Sequence, residues 1–365
     1  MIRRIAILAG LALATAVPAA AETAPVPVAK PKTANGEAPT GSTAPAAQKP
    51  VDVAPVLGGS TLGVPPPAAG LMPSAEDLLK SGRALGDGGE GDVAFGAFQR
   101  GLYLTAAAIA LDRAGRGDAA AATLLGRLYG EGLGVKQNDK AAAAWYQQGA
   151  LAGDPNAQLA LGILYLDGRG VKKDRAKAAD AFEQAAEWDE PQALYNLGLL
   201  YLEGGVRPKD PEKAAALFSK SAGKGNIDAQ FALAQLYAEG EGVILDDGIA
   251  TMWIAKAAKA GHPDAAVEYG IRLFNGTGTK KDVIAAAGWF RRSAESGSPI
   301  GANRYARVLA TGMGAPRDPV EAAKWQLIAT KGGVKDEWLD NFVTTLSDAD
   351  RKSAEAAAER WPAGG

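Results

Sequence analysis

The sequence predicts an all-α solenoid, a stack of antiparallel helix pairs. Three observations carry that prediction. A turn glycine recurs at Gly132, Gly168, Gly204, Gly240, Gly276 and Gly312, in steps of 36 residues without insertion or deletion. Other columns keep the same ruler, among them Tyr129, Tyr165, Tyr201 and Tyr237, followed by Leu273 and Leu309. Within each unit the apolar residues fall at helical spacing, as Ala157, Leu161, Leu164 and Tyr165 do at i, i+4, i+7 and i+8. A fixed period of this length marks a repeat architecture, in which no unit buries its apolar face alone and neighbours share it.

The chain opens with "MIRRIAILAGLALATAVPAAAETAP". Arg3 and Arg4 give a positive start, Ile5 to Val17 a short apolar run, and Ala19 to Ala21 the small residues of a cleavage site. The run is shorter than the ~20 residues that span a bilayer as a helix. Residues 1–21 are therefore expected to be a signal peptide, cleaved before Glu22, which places the mature protein in the periplasm or outside the cell. Residues 22–75 hold more than half of the chain's 21 prolines and no aromatic residue. Such a segment cannot bury enough surface to offset its ordering entropy, and it is expected to be a Pro/Ala-rich tether. Residues 76–117 read as a degenerate first unit or cap, with Gly96, Ala106, Ala114 and Gly117 on the ruler.

Six regular units follow over residues 118–333. Gly162 lies inside the first helix of its unit, where glycine costs about 1 kcal/mol relative to alanine. Its column holds only Gly126, Gly162, Gly198, Ala234, Gly270 and Ala306, which implies a neighbouring helix pressed against the backbone. Gly168 supplies the left-handed residue that ends a helix. Asp174, in a column with Asn138, Asp210, Asp246, Asp282 and Asp318, stands where an N-cap is wanted. The second helix carries Ala178, Phe182, Ala185 and Ala186 on one stripe, with Trp145, Trp253, Trp289 and Trp325 sharing the column before the Phe182 position. Asp154-Pro155 and His262-Pro263 start the following units with a cap residue and an early proline. Residues 334–365 are expected to form a helical cap, with a Ser347 to Asp350 capping box and with Trp338, Phe342 and Trp361 covering the last face.

The segments "ALGILYLDGRGVKKDRAKAADAFEQAA" and "ALAQLYAEGEGVILDDGIATMWIAKAAKAG" resemble Sel1-like repeats, relatives of tetratricopeptide repeats with slightly longer units. The resemblance implies a right-handed α-solenoid of antiparallel helix pairs, used to assemble protein complexes. One unit departs from the pattern: in "YLEGGVRPKD" the second glycine and the valine shift by one place and Pro208 enters the turn. Some cysteine-rich exported relatives act on β-lactams and carry a disulfide in each repeat. This chain has no cysteine, so that activity does not carry over.

Chemistry finds little purchase in the sequence. Without cysteine there are no thiolate metal sites, disulfides or thiol nucleophiles, and the single His262 cannot assemble a zinc site or a triad. No cofactor or metal is expected. His262 reads as a surface residue beside a helix cap. The formal charge of −2, with acids and bases interspersed, gives no basic stripe for nucleic acid. The stretch Leu164 to Asp174 resembles a phosphate loop only superficially, because a phosphate loop follows a strand and this one follows a helix in all six units. Glu131, Asp167, Glu203 and Glu239 are one unit apart and form a solvated ridge rather than a convergent catalytic pair.

By the same resemblance to tetratricopeptide units, the inner face carries the residues two before and two after Leu161 and its equivalents, plus the position three further on. The first two of these columns hold Leu159, Tyr195, Phe231 and Val267, and Arg127, Ile163, Leu199, Gln235, Ile271 and Arg307. These are the candidate partner-binding residues: an apolar groove with basic ends, suited to a peptide or helix from an envelope protein. The alternative for the same residues is ordinary core between neighbouring helices. The function expected is a non-enzymatic scaffold in the bacterial cell envelope. Two other readings stand beside it, a periplasmic regulator that binds a sensor kinase, as some rhizobial proteins of this repeat class do, or envelope-polysaccharide machinery, and a cell-wall or β-lactam hydrolase.

Overall fold

The computed structural model describes residues 93–361, and every regular element among them is a helix. The expectations for residues 1–21, 22–75 and 76–92 lie outside the described residues. Two helices come first, α1 (Val93–Gln99) and α2 (Tyr103–Gly115). Six hairpins follow: α3 (Ala119–Glu131) with α4 (Asp139–Leu151), α5 (Pro155–Asp167) with α6 (Arg175–Glu187), and α7 (Pro191–Glu203) with α8 (Pro211–Gly223). The rest are α9 (Ile227–Glu239) with α10 (Asp247–Lys259), α11 (Pro263–Asn275) with α12 (Val283–Glu295), and α13 (Pro299–Thr311) with α14 (Pro319–Lys331). The chain closes with α15 (Glu337–Thr344) and α16 (Asp348–Arg360). We call the first helix of each hairpin A and the second B.

Inside each hairpin a glycine of A receives an aromatic ring of B. A Cβ added at Gly162 would stand 2.5 Å from the Phe182 ring, and one at Gly126, Gly198 or Gly270 would stand 2.6 Å from Tyr146, Phe218 or Phe290. Two units carry alanine in that column, at Ala234 and Ala306, and there the ring position holds Ile254 and Gln326 instead. The extra methyl on A is matched by a smaller or more flexible group on B, as close packing requires. Phe182 and Phe218 are fully buried, and their cluster runs on through Leu197, Leu200 and Leu233 into the neighbouring units. The core is thus continuous from unit to unit rather than divided among hairpins.

The turns are held by their own backbone. Gly168 sits at φ 74, ψ 31, and the amides of Gly168 and Arg169 both donate to the Leu164 carbonyl. Asp174 caps the next helix by accepting from the amides of Ala176 and Lys177, and its own amide donates to the Tyr165 carbonyl. Asn138, Asp210, Asp246, Asp282 and Asp318 each cap a B helix in the same column. The second turn glycine serves another purpose. A Cβ at Gly170 would lie 2.0 Å from the Asp139 carbonyl oxygen, and one at Gly278 would lie 1.9 Å from that of Asp247. Each of these turns therefore seats on the first residue of the preceding B helix. The variant third unit lacks this seat, since a Cβ at Gly205 meets nothing within 4 Å. Arg207 replaces it, its Nε donating to Glu183 at 2.9 Å and its Nη2 to Asp180 at 2.6 Å, both on α6.

The first and last elements depart from the regular pattern. Gly96 stands on the 36-residue ruler but lies within α1, and the left-handed residue there is Gly101, at φ 75. Ala106 and Ala114 of α2 are buried as their columns require. At the other end α16, rather than α15, packs most extensively on α14, and Trp361 meets Trp325 edge-on at 4.8 Å between ring centres. Ser347 caps α16 by accepting from the Asp350 amide, while its hydroxyl donates to the Asp350 carboxylate. Trp338 is 46% exposed and stacks on Phe342, so it covers less of the last face than the sequence suggests. Leu339, fully buried, takes that role.

Two measurements check this packing. Gly162→Ala should lower stability by about 1–3 kcal/mol through the clash with Phe182. The double variant Gly162→Ala, Phe182→Ile, which copies the Ala234 and Ile254 pair, should recover much of that loss, and additive losses in denaturant melts would contradict the interlock. Removing residues 335–365 should lower the melting temperature or the solubility by uncovering Trp325 and Ala329; an unchanged melt would count against the cap.

Candidate protein-binding face

The first two A-helix columns singled out by the sequence are half-buried through the middle of the stack, except at Val267, which is buried. Leu159, Ile163, Tyr195 and Leu199 pack against the cluster built on Phe182 and Phe218, and Ile271 against the one built on Phe290. Phe231 rests on the buried group around Ile254 and lies 4.4 Å from the His262 ring. Gln235 is half-buried. These side chains are neither sealed core nor fully open groove: each gives one side to the core and leaves the other to solvent. Tyr195 lies 5.6 Å from the Phe218 ring, and burial, aided by the charge of Asp228, pushes its hydroxyl up to about 12. It is therefore a permanent donor at neutral pH.

The basic ends differ from the expectation. Arg127 is exposed, but it pairs with Glu131 at 2.9 Å and its guanidinium covers the Phe98 ring at 4.7 Å. Arg307 is engaged more deeply. Its Nε and Nη2 donate to the two Asp336 oxygens at 2.7 and 2.8 Å, and it lies 5.3 Å from the Trp338 ring centre. Asn303 donates to the same carboxylate at 2.8 Å. Both arginines are thus spent on the terminal elements, and they fasten the ends of the stack instead of offering charge to a partner. Burial alone would raise the Asp336 carboxyl, but hydrogen bonds from Arg307, Asn303 and the Leu339 amide hold it below the usual carboxylate range.

His262 is the cap, as its place before Pro263 suggests, but it is largely buried rather than a surface residue beside one. Its Nδ1 accepts from the Ala265 amide at 3.2 Å, and its side chain is only 12% exposed. Asp228 lies 3.7 Å from Nε2. Between these groups, Gln192 and Asn226 line a shallow cleft of about 440 Å³. The acidic ridge is exposed as expected, with Glu131 held by Arg127 and Glu203 by Arg175. Among the described residues no group of three or more histidines and carboxylates could hold a metal ion, and no helix is long and apolar enough to cross a membrane.

One buried charge was not foreseen. Arg272 is 7% exposed and occupies the column that elsewhere holds Leu128, Leu164, Leu200, Leu236 and Val308. It donates to Asp247 at 3.0 Å, Glu268 at 3.1 Å and Thr251 at 3.2 Å. Thr251 stands in turn in an alanine column, so a column-by-column comparison for polar intruders would have found the pair. Two carboxylates and a hydroxyl thus face this buried guanidinium, which offsets much of the cost of taking it out of water.

The fold is an all-α helical repeat solenoid built from one recurring hairpin. The chain belongs to the Sel1 repeat family, whose model matches residues 119–154, 155–187, 191–226, 227–262, 263–298 and 299–334. It is similar to the crystal structure of a Sel1 repeat protein from Oxalobacter formigenes, at 25% identity and a TM-score of 0.59, over 67% of this chain and 97% of that one. It is also similar to c5321, a protective antigen of uropathogenic Escherichia coli with an SLR fold, at 28% identity and a TM-score of 0.49, over 71% of this chain and 64% of that one. Among curated proteins none matches the chain. Sel1 repeat proteins are generally protein-interaction scaffolds, and their fold is typically non-catalytic.

The Asp336 contacts fix a pH dependence. A carboxyl depressed in the folded state contributes stability that is fully present above its unfolded pKa of about 3.9 and is lost as pH falls through the folded value. Asp336→Asn keeps the capping oxygen and removes the charge. Its melting temperature should lie below that of the parent chain at neutral pH, and the gap should close on acidification below pH ~4. A gap that persists into acid would mean that the carboxylate charge is not what Arg307 and Asn303 recognise.

Proposed function

We propose that this chain is a non-enzymatic scaffold that binds a protein partner in the bacterial cell envelope. The observation that carries the reading is the row of half-buried side chains on successive A helices: Leu159 and Ile163, then Tyr195 and Leu199, then Phe231 and Gln235, then Ile271. A row of apolar groups with one side open, repeated on each A helix, suits an extended peptide or a helix better than a small substrate. Membership of a family of interaction scaffolds supports the same reading. The envelope assignment is supported by Arg3-Arg4, the apolar run to Val17 and Ala19-Ala20-Ala21. The hydrolase reading gains nothing from the exposed acids, which are spaced one per unit and in two cases held by arginines.

Affinity capture from an envelope fraction tests the proposal, with the parent chain beside the double variant Tyr195→Ala, Phe231→Ala. The variant should lose the captured protein while its melting temperature falls by no more than a few degrees. A severe loss of stability with capture intact would return both residues to the core. N-terminal sequencing of the exported chain should start at Glu22, and a chain still starting at Met1 would remove the envelope from the proposal.

A further inference from the structure

We propose a second interaction surface, along the turns that join one unit to the next, which takes a lysine- or arginine-bearing segment of another protein. These turns stand in a row linked by single polar contacts. Lys224 reaches Asp189 of the previous turn at 3.4 Å, Asn226 donates to Gln192 at 3.0 Å, and His262 lies 3.7 Å from Asp228. The row is therefore one continuous surface from Trp188 to His262, with the shallow cleft of about 440 Å³ between its last two turns.

The repeat breaks its own pattern at one place on this row. Trp188 is 66% exposed in a column otherwise filled by Arg116, Ala152, Lys224, Ala260, Ser296 and Gly332. Leu151, 82% exposed, ends the B helix of the unit before. A large exposed ring that supports no core contact costs solubility and has no role in the stack. Acids outnumber bases along this row. Glu187, Asp189 and Glu190 flank the ring in sequence, and Asp228 continues the row at the cleft. Of the two lysines along the row, Lys224 is already paired with Asp189, and Lys259 stands at the far end, two units from the ring. An exposed indole on an acid-rich border attracts a cationic side chain twice, through the ring quadrupole and through the charges, and the alkyl stem of lysine or arginine covers the ring as it does so. The occupant is thus a basic segment rather than an acidic one or an anionic membrane surface.

Asp189 adds a separate mark by which the surface can be probed. It is the only non-glycine residue with positive φ among the described residues, at 57°, in a column of Gly117, Gly153, Gly225, Gly261, Gly297 and Gly333. A glycine there would relax the backbone, so Asp189→Gly should raise the melting temperature slightly while removing one of the flanking charges.

The experiment titrates the full chain against a labelled lysine-rich peptide with interspersed leucine, and against its glutamate counterpart. The lysine peptide should bind, weaken steeply with added salt, and lose about tenfold or more in affinity to Trp188→Ala, whose melting temperature should stay that of the parent. Glu187→Gln with Asp228→Asn should flatten the salt dependence, and Asp189→Gly should weaken binding in a more stable protein. Ile163→Ala, on the A-helix face, should bind the peptide normally, which separates this surface from the one proposed above. Equal binding of the glutamate peptide, undiminished binding by Trp188→Ala, or loss of binding in Ile163→Ala would overturn the proposal. So would self-association of the parent chain that Trp188→Ala abolishes, since the surface would then belong to a second copy.

Discussion

Everything in this stack depends on how closely A and B approach within a hairpin. That approach is set by one contact, a ring of B lying on the bare backbone of A. Glycine is a poor helix former, and its recurrence at Gly126, Gly162, Gly198 and Gly270 makes sense only as room for Tyr146, Phe182, Phe218 and Phe290. With the hairpin closed to this distance, the remaining apolar faces are presented to the neighbouring units at a fixed height. Alanine-rich helices then suffice for burial between units, because small residues let the backbones come close. The rings supply the volume that the alanines lack.

The same constraint explains where the sequence was legible. A column is readable when one residue type answers one physical need, as left-handed glycine does at Gly168, the carboxylate cap at Asp174 and the apolar stripe at Leu161 and Leu164. The hairpins, their caps and their order followed from such columns. The seat under Gly170 was not readable, because its neighbour, Asp139, lies in another unit and the sequence carries no mark of who touches whom. His262 was misplaced for a related reason: an imidazole can cap a helix as an aspartate does, but its ring also fills space against Phe231. Arg307 looked free because its partner, Asp336, belongs to the terminal element rather than to the repeat.

The candidate face was only half visible in the sequence. Helical spacing places Leu159, Ile163 and their equivalents on one side of A, yet spacing says nothing about how far the next unit covers them. That coverage depends on the angle between units, which arises from many small contacts. The outcome, side chains with one edge packed and one edge wet, combines what the sequence posed as alternatives. Such residues hold a neighbouring unit and still keep surface to give a partner, so stability and recognition draw on the same groups. Arg272 shows the opposite arrangement, a charge committed wholly inward. Two of its three acceptors, Asp247 and Thr251, lie on α10 and tie it to α11 by directional bonds where the other units use apolar contacts, so the fourth and fifth hairpins are specified for each other.

The glycine seats have a mechanical consequence. At Gly170, Gly242, Gly278 and Gly314 one turn bears on the backbone of the hairpin before it, with no side chain between them to yield. On the opposite edge, Asp189 meets Lys224 and Gln192 meets Asn226 through side chains that can rotate and re-form their bonds. Force applied to the stack therefore meets a stiff spine on one border and compliant joints on the other. Bending about that spine is resisted least in the third unit, where Arg207 and its two carboxylates on α6 stand in place of a seated glycine.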